Sequence, residues 1–422
     1  MAPLKRNARI VLDLLAEEAQ GLTRTDLRVR AGLSRPTVQS IVTELKDEGF
    51  IAEAPETTAP LNGGSATGRP AERFVLARNA GLVVGVDIGH GHVRAAVADR
   101  SGEILGEIQE DEKIDVDEIG PSALIRVVEL IADALTSSEE PIEAVRAIGV
   151  GIPASVDETG FVLFADYLPG WGRPVDVTKE LKRLLQERYP TFALERNLIM
   201  IENDANLGAL GEGLYGAARG CRNYLYFKLS TGVGMGMVFD GHLYRGTNGA
   251  SGEAGHVNVS PLAEPLIKSI IKRPQEPCPR CSKIDCLENL ASTRSIVRQL
   301  QATDSQYADD LTIHEVIQRA SGDASNHQLC LQALVETGIR VGYTLTDIIR
   351  LLAPERIILG GFLAEAEEIL TTQVDEAIKG SKGLLPVEVS AVPIERIKRS
   401  EVEGAIALAL STASTISSTS GK

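Results

Sequence analysis

Apolar residues recur with a helical period through the first fifty positions. Leu4, Ala8, Val11, Leu15 and Ala19 mark one face of a first helix that ends near Gly21. Thr23 is placed to cap a second, short helix, with Asp26 three residues on. That helix carries Leu27 and Ala31 inward and stops at Gly32. Ser34 is the N-cap of a third helix, Arg35 to Glu48, with Pro36 in its first turn, where a missing N–H costs nothing. Val38, Ile41, Val42 and Leu45 form its buried stripe. Arg35, Thr37, Gln39, Ser40 and Thr43 stay on or near the open face. Phe50 to Glu53 and Arg73 to Leu76 then read as the two strands of a wing around a tip containing Gly68-Arg69-Pro70.

From Gly81 the pattern becomes that of an α/β chain. Leu82 to Ile88 is a buried strand, and Gly89-His90-Gly91-His92 turns into a second, Val93 to Ala98. A helical period covers 121–136, and Ile148 to Ile152 is a strand ending at Pro153. Leu198 to Glu202 is a strand that runs into Asn203-Asp204-Ala205-Asn206 and a helix up to Tyr215. Tyr224 to Leu229 is followed by a Gly-rich loop, Ser230 to Gly236, of the kind that brings backbone N–H groups to an oxyanion. A long helix spans 327–352, and Arg356 to Leu359 ends at Gly360-Gly361. No period reveals an internal repeat, although strand followed by glycine turn recurs at Asp87 and at Ser230. The Ser/Thr-rich residues 411–422 are expected to be a disordered tail.

At 422 residues the chain is too long for one core, so several folding units are expected. No apolar run is long enough to span a membrane, no secretory leader is evident, and five cysteines suit a reducing, cytoplasmic setting. The net charge of −15 argues against nucleic-acid binding by the whole surface. That charge is uneven: residues 1–80 carry 11 Lys and Arg against 10 Asp and Glu, and the remainder carries 32 against 48. A polyanion partner would therefore meet the N-terminal segment. Helix, short helix, Gly-containing turn and polar-faced helix make a winged helix-turn-helix, with double-stranded operator DNA as partner. Ser34, Arg35, Pro36, Thr37, Gln39, Ser40 and Thr43 are the expected contacts, and Arg69 is a candidate for the minor groove. A helical dimerisation domain is the plainer alternative.

Chemistry concentrates between Arg245 and Glu288. Cys278-x2-Cys281-x4-Cys286 with His256 upstream is a closed tetrahedral set suited to structural Zn²⁺. A disulfide with a spare thiol is the competing reading of the cysteines. Glu253 and Glu288 adjoin this set without being needed as ligands, and carboxylates on a pinned loop accept the hydroxyls of a sugar. Asn203 and Asp204 stand at a strand end, where α/β folds bind ligands.

These pieces together resemble the ROK family of repressors and sugar kinases, and more narrowly its transcriptional regulators. The resemblance rests on Leu33-Ser34-Arg35-Pro36-Thr37-Val38, Gly68-Arg69-Pro70, Gly85-Val86-Asp87-Ile88-Gly89 and Gly151-Ile152-Pro153. It continues through Glu202-Asn203-Asp204-Ala205-Asn206, Ser230-Thr231-Gly232-Val233-Gly234, Gly252-Glu253-Ala254-Gly255-His256, the cysteine cluster with Glu288, and Leu359-Gly360-Gly361. It implies an α/β fold, with a winged helix-turn-helix and linker over 1–80. A two-lobed actin/hexokinase-like (ribonuclease H-like) sugar-binding domain then covers 81–410. It further implies sugar contacts at Asn203, Asp204, Glu253, His256 and Glu288, zinc on His256, Cys278, Cys281 and Cys286, and a homodimer or tetramer.

Three departures shape the functional expectation. The kinases' phosphate loop, Asp-x-Gly-Gly-Thr-Lys, is here Asp87-Ile88-Gly89-His90-Gly91-His92, and phosphoryl transfer depends on positioning and charge. Gly89, Thr231, Gly232, Gly234, Gly360 and Gly361 are thus expected as remnants of a nucleotide site. The zinc pattern Cys-x-Cys-Gly-x-x-Gly-Cys-x-Glu carries one inserted residue, with Ser282 and Asp285 in place of the glycines. Tyr167 stands where many relatives have a sugar-contacting Asn. The expectation is a non-enzymatic regulator answering to a small sugar or sugar phosphate. The alternatives are an ATP-dependent sugar kinase with a fused DNA-binding domain, in which Asp204 is the catalytic base, and a regulator controlled by a protein partner.

Overall fold

The computed structural model describes residues 6–16, 18, 21–47, 50–54, 72–76, 81–89, 92–111, 122–157, 159–162, 175–190, 192, 198–267, 269–307, 311–322, 327–384 and 386–416. The tip with Arg69, the loop residues His90 and Gly91, and Tyr167 lie outside them.

The N-terminal unit is built from α1 (Arg6–Ala16), β1 (Leu22–Thr23), α2 (Arg24–Ala31), α3 (Arg35–Asp47), β2 (Ile51–Glu53) and β3 (Arg73–Leu76). Thr23 and Asp26 form a reciprocal capping box that starts α2, and Gly32, at φ 66°, ends it in the left-handed conformation. Val11, Leu15, Leu27, Val38, Val42, Leu45 and Phe74 close a small core. The wing has a third strand that the sequence pattern did not reveal. β1 pairs antiparallel with β3, which also pairs with β2. Two residues are too few to carry a period.

The first lobe has a sheet of β4 (Leu82–Ile88), β5 (His92–Ala98), β6 (Ile104–Asp111), β7 (Val145–Ile152) and β8 (Ile199–Asn203), in the order β6-β5-β4-β7-β8. Two helices, α4 (Ala123–Ser137) and α5 (Val177–Arg188), cover one face through Leu124, Ile131, Leu181 and Leu185. Helix α6 (Asp204–Leu214) then leads to the second lobe. There β9 (Tyr224–Leu229), β10 (Val233–Phe239) and β11 (His242–Leu243) precede four helices: α7 (Leu287–Ala291), α8 (Thr293–Thr303), α9 (Ile313–Ala320) and α10 (His327–Leu352). The lobe ends with β12 (Arg356–Gly360), α11 (Glu367–Gly380) and β13 (Glu388–Ala391). Its sheet order is β11-β10-β9-β12-β13. In both sheets three antiparallel strands precede two parallel additions. The repeat missing from the sequence is therefore present as topology.

Two expectations are corrected. The Gly-rich segment expected as a loop to Gly236 is a loop only as far as Gly232, and Val233 onward is strand β10. Its glycines serve packing: a Cβ on Gly236 would lie 2.3 Å from the carbonyl oxygen of Ala205 in α6. The tail expected to be disordered from Ser411 is helical to Ile416, as the end of α12 (Ser400–Ile416), and Ser411 Oγ donates to the Leu408 carbonyl. Residues 417–422 lie outside the described residues.

α12 packs on the face of the first sheet opposite α4 and α5, with Val402, Ile406 and Ala409 against Val83, Ala96 and Ala147. Glycines let it seat closely. A Cβ on Gly149 would stand 2.2 Å from the Ala405 carbonyl, and one on Gly404 would stand 1.8 Å from the Leu207 carbonyl in α6. The winged unit touches the first lobe where the Arg100 guanidinium lies 4.2 Å from the Phe50 ring centroid. Among the described residues no helix is long and apolar enough to cross a membrane.

Gly404→Val is expected to overpack this seat and lower stability by about 2 kcal/mol or more, a loss of several degrees in Tm. Gly322→Ala, where the added Cβ meets nothing closer than 3.6 Å, is expected to change Tm little. Calorimetric melts of the two variants check this, and equal melting points would contradict the packing account.

Candidate functional site

The carboxyl ends of β4, β7, β8 and β9 meet in one cleft of about 330 Å³ between the lobes. Such a crevice is where an α/β sheet offers helix N-termini and loop amides to a ligand. β8 delivers Asn203, whose Oδ1 caps α6 by accepting from Ala205 N at 2.9 Å and Asn206 N at 3.3 Å. Its Nδ2 donates to the Ala154 carbonyl at 3.3 Å. Asp204 follows, with Oδ2 at 2.9 Å from Lys228 Nζ on β9. The same ammonium is 2.9 Å from Glu401 on α12, so one cation joins α6, β9 and α12. Burial alone would depress the Lys228 pKa, but Asp204, Glu401 and Asp87 more than offset it and hold the pKa above the ordinary lysine value.

Glu253 and Glu288 reach the cleft from the second lobe. Glu253 Oε1 accepts from Ser155 Oγ of the first lobe at 2.9 Å and from Arg280 Nη2 at 3.1 Å. Glu288 Oε2 accepts from Val233 N at 3.0 Å, beside Gly232, where a Cβ would crowd the same carboxylate at 3.1 Å. A further tie between the lobes runs from Arg245 Nε to Glu202 Oε2 at 2.6 Å. Of the five expected sugar residues, Asn203, Asp204, Glu253 and Glu288 line the cleft, and His256 stands against Glu253, its Nε2 3.8 Å from Oε2. Of the expected nucleotide-loop remnants, Gly89, Thr231, Gly232 and Gly234 line it, while Gly360 and Gly361 lie against Tyr226 and Leu229 instead.

The first phosphate-loop strand carries a feature that spacing alone could not show. His92 Nε2 sits 2.7 Å from Asp87 Oδ2, and Arg94 Nη1 is 3.3 Å from the same oxygen. The imidazole occupies the space above Gly89, where a Cβ would be 2.0 Å from His92 Cε1. Asp87 is buried, which by itself raises a carboxyl pKa. His92, Lys228 and Arg94 reverse that and hold it below the usual carboxylate range. Arg94, Ser155, Lys228, Arg280 and Lys398 also line the cleft and were not identified from sequence, where His92 was noted only as a departure from the phosphate-loop pattern. Of those five, Arg280 carried a signal there, as one of the two residues between Cys278 and Cys281 where the family pattern has one.

The donor set beside the cleft fits a metal ion. One ligand atom each from His256, Cys278, Cys281 and Cys286 lie within 4.8 Å of one another, and all five cysteines are free thiols. Cys278 Sγ is 3.7 Å from His256 Nδ1, close to the edge of about 3.6 Å for a tetrahedron with zinc–sulfur and zinc–nitrogen bond lengths. The other ring nitrogen faces Glu253 Oε2 at 3.8 Å, as a ligating histidine commonly faces a carboxylate. Burial is the main cause lowering the His256 pKa, which favours the neutral, ligating form. The loop is tied down by an Asn258–Cys286 bridge and by Leu287 N donating to the Val257 carbonyl. Ser282 takes a left-handed φ of 57°, at the position where the family pattern has glycine.

On the N-terminal unit, Ser34 Oγ accepts from Thr37 N at 3.3 Å and starts α3. Ser34, Arg35, Pro36, Gln39, Ser40 and Thr43 are exposed and Thr37 is half-buried, so α3 presents a polar face clear of the core. That face has the shape and chemistry of a major-groove reader.

The ROK family profile matches residues 83–411, and that of the MarR family matches residues 2–58. The chain is 26% identical over 404 residues to a xylose repressor of Caldicellulosiruptor bescii, covering 92% of each chain. It is 28% identical over 305 residues to a glucokinase of Halalkalibacterium halodurans, covering 69% of this chain and 84% of the relative. In fold it is similar to a ROK family transcriptional regulator described as a homologue of the Escherichia coli Mlc protein. The TM-score is 0.71, with 24% identity and 98% of each chain covered. Two lobes and cleft on one side and winged helix on the other thus match two families: the chain belongs to the ROK family, joined to an N-terminal MarR-type winged-helix DNA-binding domain.

Proposed function

We propose that this protein is a sugar-responsive transcriptional repressor whose cleft binds a small sugar or sugar phosphate without phosphorylating it. The observation that carries the reading is the Asp87–His92 pair, set in a kinase-like cleft on the same chain as a winged helix. A phosphoryl-transfer site needs that end of the cleft open to phosphate oxygens and their metal ion. Here the Asp87 carboxylate is engaged by His92 and Arg94, and the imidazole fills the approach over Gly89. Asn203, Asp204, Glu253 and Glu288 offer the acceptors that sugar hydroxyls require. The relatives named as xylose repressors agree with this reading.

The coupling follows from the ties between the lobes. Ser155–Glu253, Asp204–Lys228 and Glu202–Arg245 all cross the cleft, so a ligand that engages Asp204 and Glu253 biases the angle between lobes. The first lobe carries the winged unit through Arg100 and Phe50, which passes that bias to the DNA-binding face. Sugar and operator binding are then reciprocally linked. A homodimer or tetramer presents two α3 helices to half-sites one helical turn apart, or a multiple of that, on a roughly palindromic operator. The donor set of His256, Cys278, Cys281 and Cys286 fits structural zinc, which when bound holds the loop carrying Glu288.

Three outcomes are expected. An electrophoretic shift on the DNA flanking the gene should weaken steeply with salt and respond to a monosaccharide panel, and Arg35→Ala should weaken it. A salt-independent shift, or none at low salt, rejects DNA binding. A coupled ADP-release assay with ATP and hexoses should show no turnover above background, whereas turnover abolished by Asp204→Asn establishes the kinase reading suggested by the glucokinase relative. Elemental analysis should find one zinc per chain, and Cys286→Ser should lose it together with a drop in Tm; full zinc content in that variant excludes the site.

A further inference from the structure

We infer that Arg280 couples the metal loop to the cleft, acting as a positioning residue for Glu253. Cys278 and Cys281 are separated by two residues where the family pattern has one, and Arg280 is one of those two. It stands next to one proposed ligand and two residues from another. Cys278 N donates to the Lys283 carbonyl and Ser282 N to that of Cys278, so the chain doubles back tightly around Arg280. Its guanidinium lines the cleft.

The contacts of Arg280 decide what it does there. Nη2 donates to Glu253 Oε1 at 3.1 Å and lies 3.4 Å from Ser155 Oγ, which itself donates to Glu253 Oε1 at 2.9 Å. Ser155 belongs to the first lobe, between Ala154 and Val156 of its core, whereas Glu253 precedes Ala254 of the second core. One carboxylate oxygen thus holds a donor from each lobe, and the donor from the second lobe is carried on the metal loop. A charge-assisted bond of this kind orients the carboxylate far better than Ser155 does alone. With metal bound, the Cys278–Cys281 hairpin has one path and Arg280 one position. Without it, the hairpin relaxes, Glu253 loses its orienting charge, and the segment around Ser155 loses its anchor to the second lobe.

The inference rests on the proposed metal at the His/Cys cluster, and its test requires no sugar or DNA. Hydrogen exchange of the full chain is followed by mass spectrometry, with metal content measured on the same samples, before and after 1,10-phenanthroline. In the unaltered protein, chelation should speed exchange of the amides at 154–157 roughly tenfold, the scale of one lost charge-assisted hydrogen bond. Arg280→Ala should keep its metal, show the same faster exchange at 154–157 from the start, and gain nothing more on chelation. Arg280→Met, which keeps the apolar stem and removes the charge, should behave as Arg280→Ala does. Two results overturn the inference: chelation that leaves 154–157 unchanged in the unaltered protein, or chelation that acts on them as strongly in both variants. Absence of metal from the unaltered protein refutes the zinc site itself, which is a separate result.

Discussion

Everything at the cleft depends on how closely α6 and α12 pack on each other and on the first sheet. Gly85 and Gly149 on the strands, Gly211 on α6 and Gly404 on α12 each bring backbone against backbone, at distances where any side chain would collide. Close-packed interiors leave no slack for an added methyl at such points. Because α6 begins at Asn203 and Asp204, its depth against the sheet sets where those side chains stand. Because α12 carries Glu401 next to Lys228, the same seat brings the second sheet to the first. The lobes are joined by a buried ammonium between two carboxylates, in a groove that glycine made narrow enough for them to meet.

The electrostatics of the cleft follow from that closeness. Asp87, Asp204 and Glu401 would repel one another if left bare, and the buried Asp87 would resist ionisation. Lys228, Arg94 and His92 supply the compensating donors, two from strands of the first sheet and one from the second. A site arranged this way has its charges already answered by the protein. That arrangement is what supports the proposed sugar-binding, rather than phosphoryl-transferring, role of the cleft. Glu253 and Glu288 show the same habit on the other side, each held by protein donors at one oxygen.

Much of the architecture was legible because it obeys short-range rules. The winged unit came from helix periodicity, a Thr–Asp capping box and a Ser cap, all of which act within four residues. The buried strands Leu82–Ile88 and Tyr224–Leu229 were legible as continuous apolar runs bounded by glycine. The cysteine spacing indicated a metal site because thiolates on a short loop have few other uses in a reducing setting. Other features stayed hidden for an equally physical reason. β1 is two residues long, β10 is strung with glycines that resemble a loop, and the end of α12 is rich in Ser and Thr, which read as a tail.

By itself, then, the sequence determined the local elements, the two classes of domain, and the residue types gathered near the cysteines, since each rests on neighbours along the chain. Only the tertiary structure decided which of those residues share a site. His92 lies on Asp87 because β5 folds back antiparallel on β4, and the register Asp87↔Arg94 brings both side chains to one carboxylate. Lys228 meets Asp204 because two topologically equivalent sheets face each other across α6 and α12. Arg280 enters the cleft because the cysteine hairpin returns to Glu253, 27 residues back along the chain. These are contacts between residues far apart in the chain, and spacing carries no record of them.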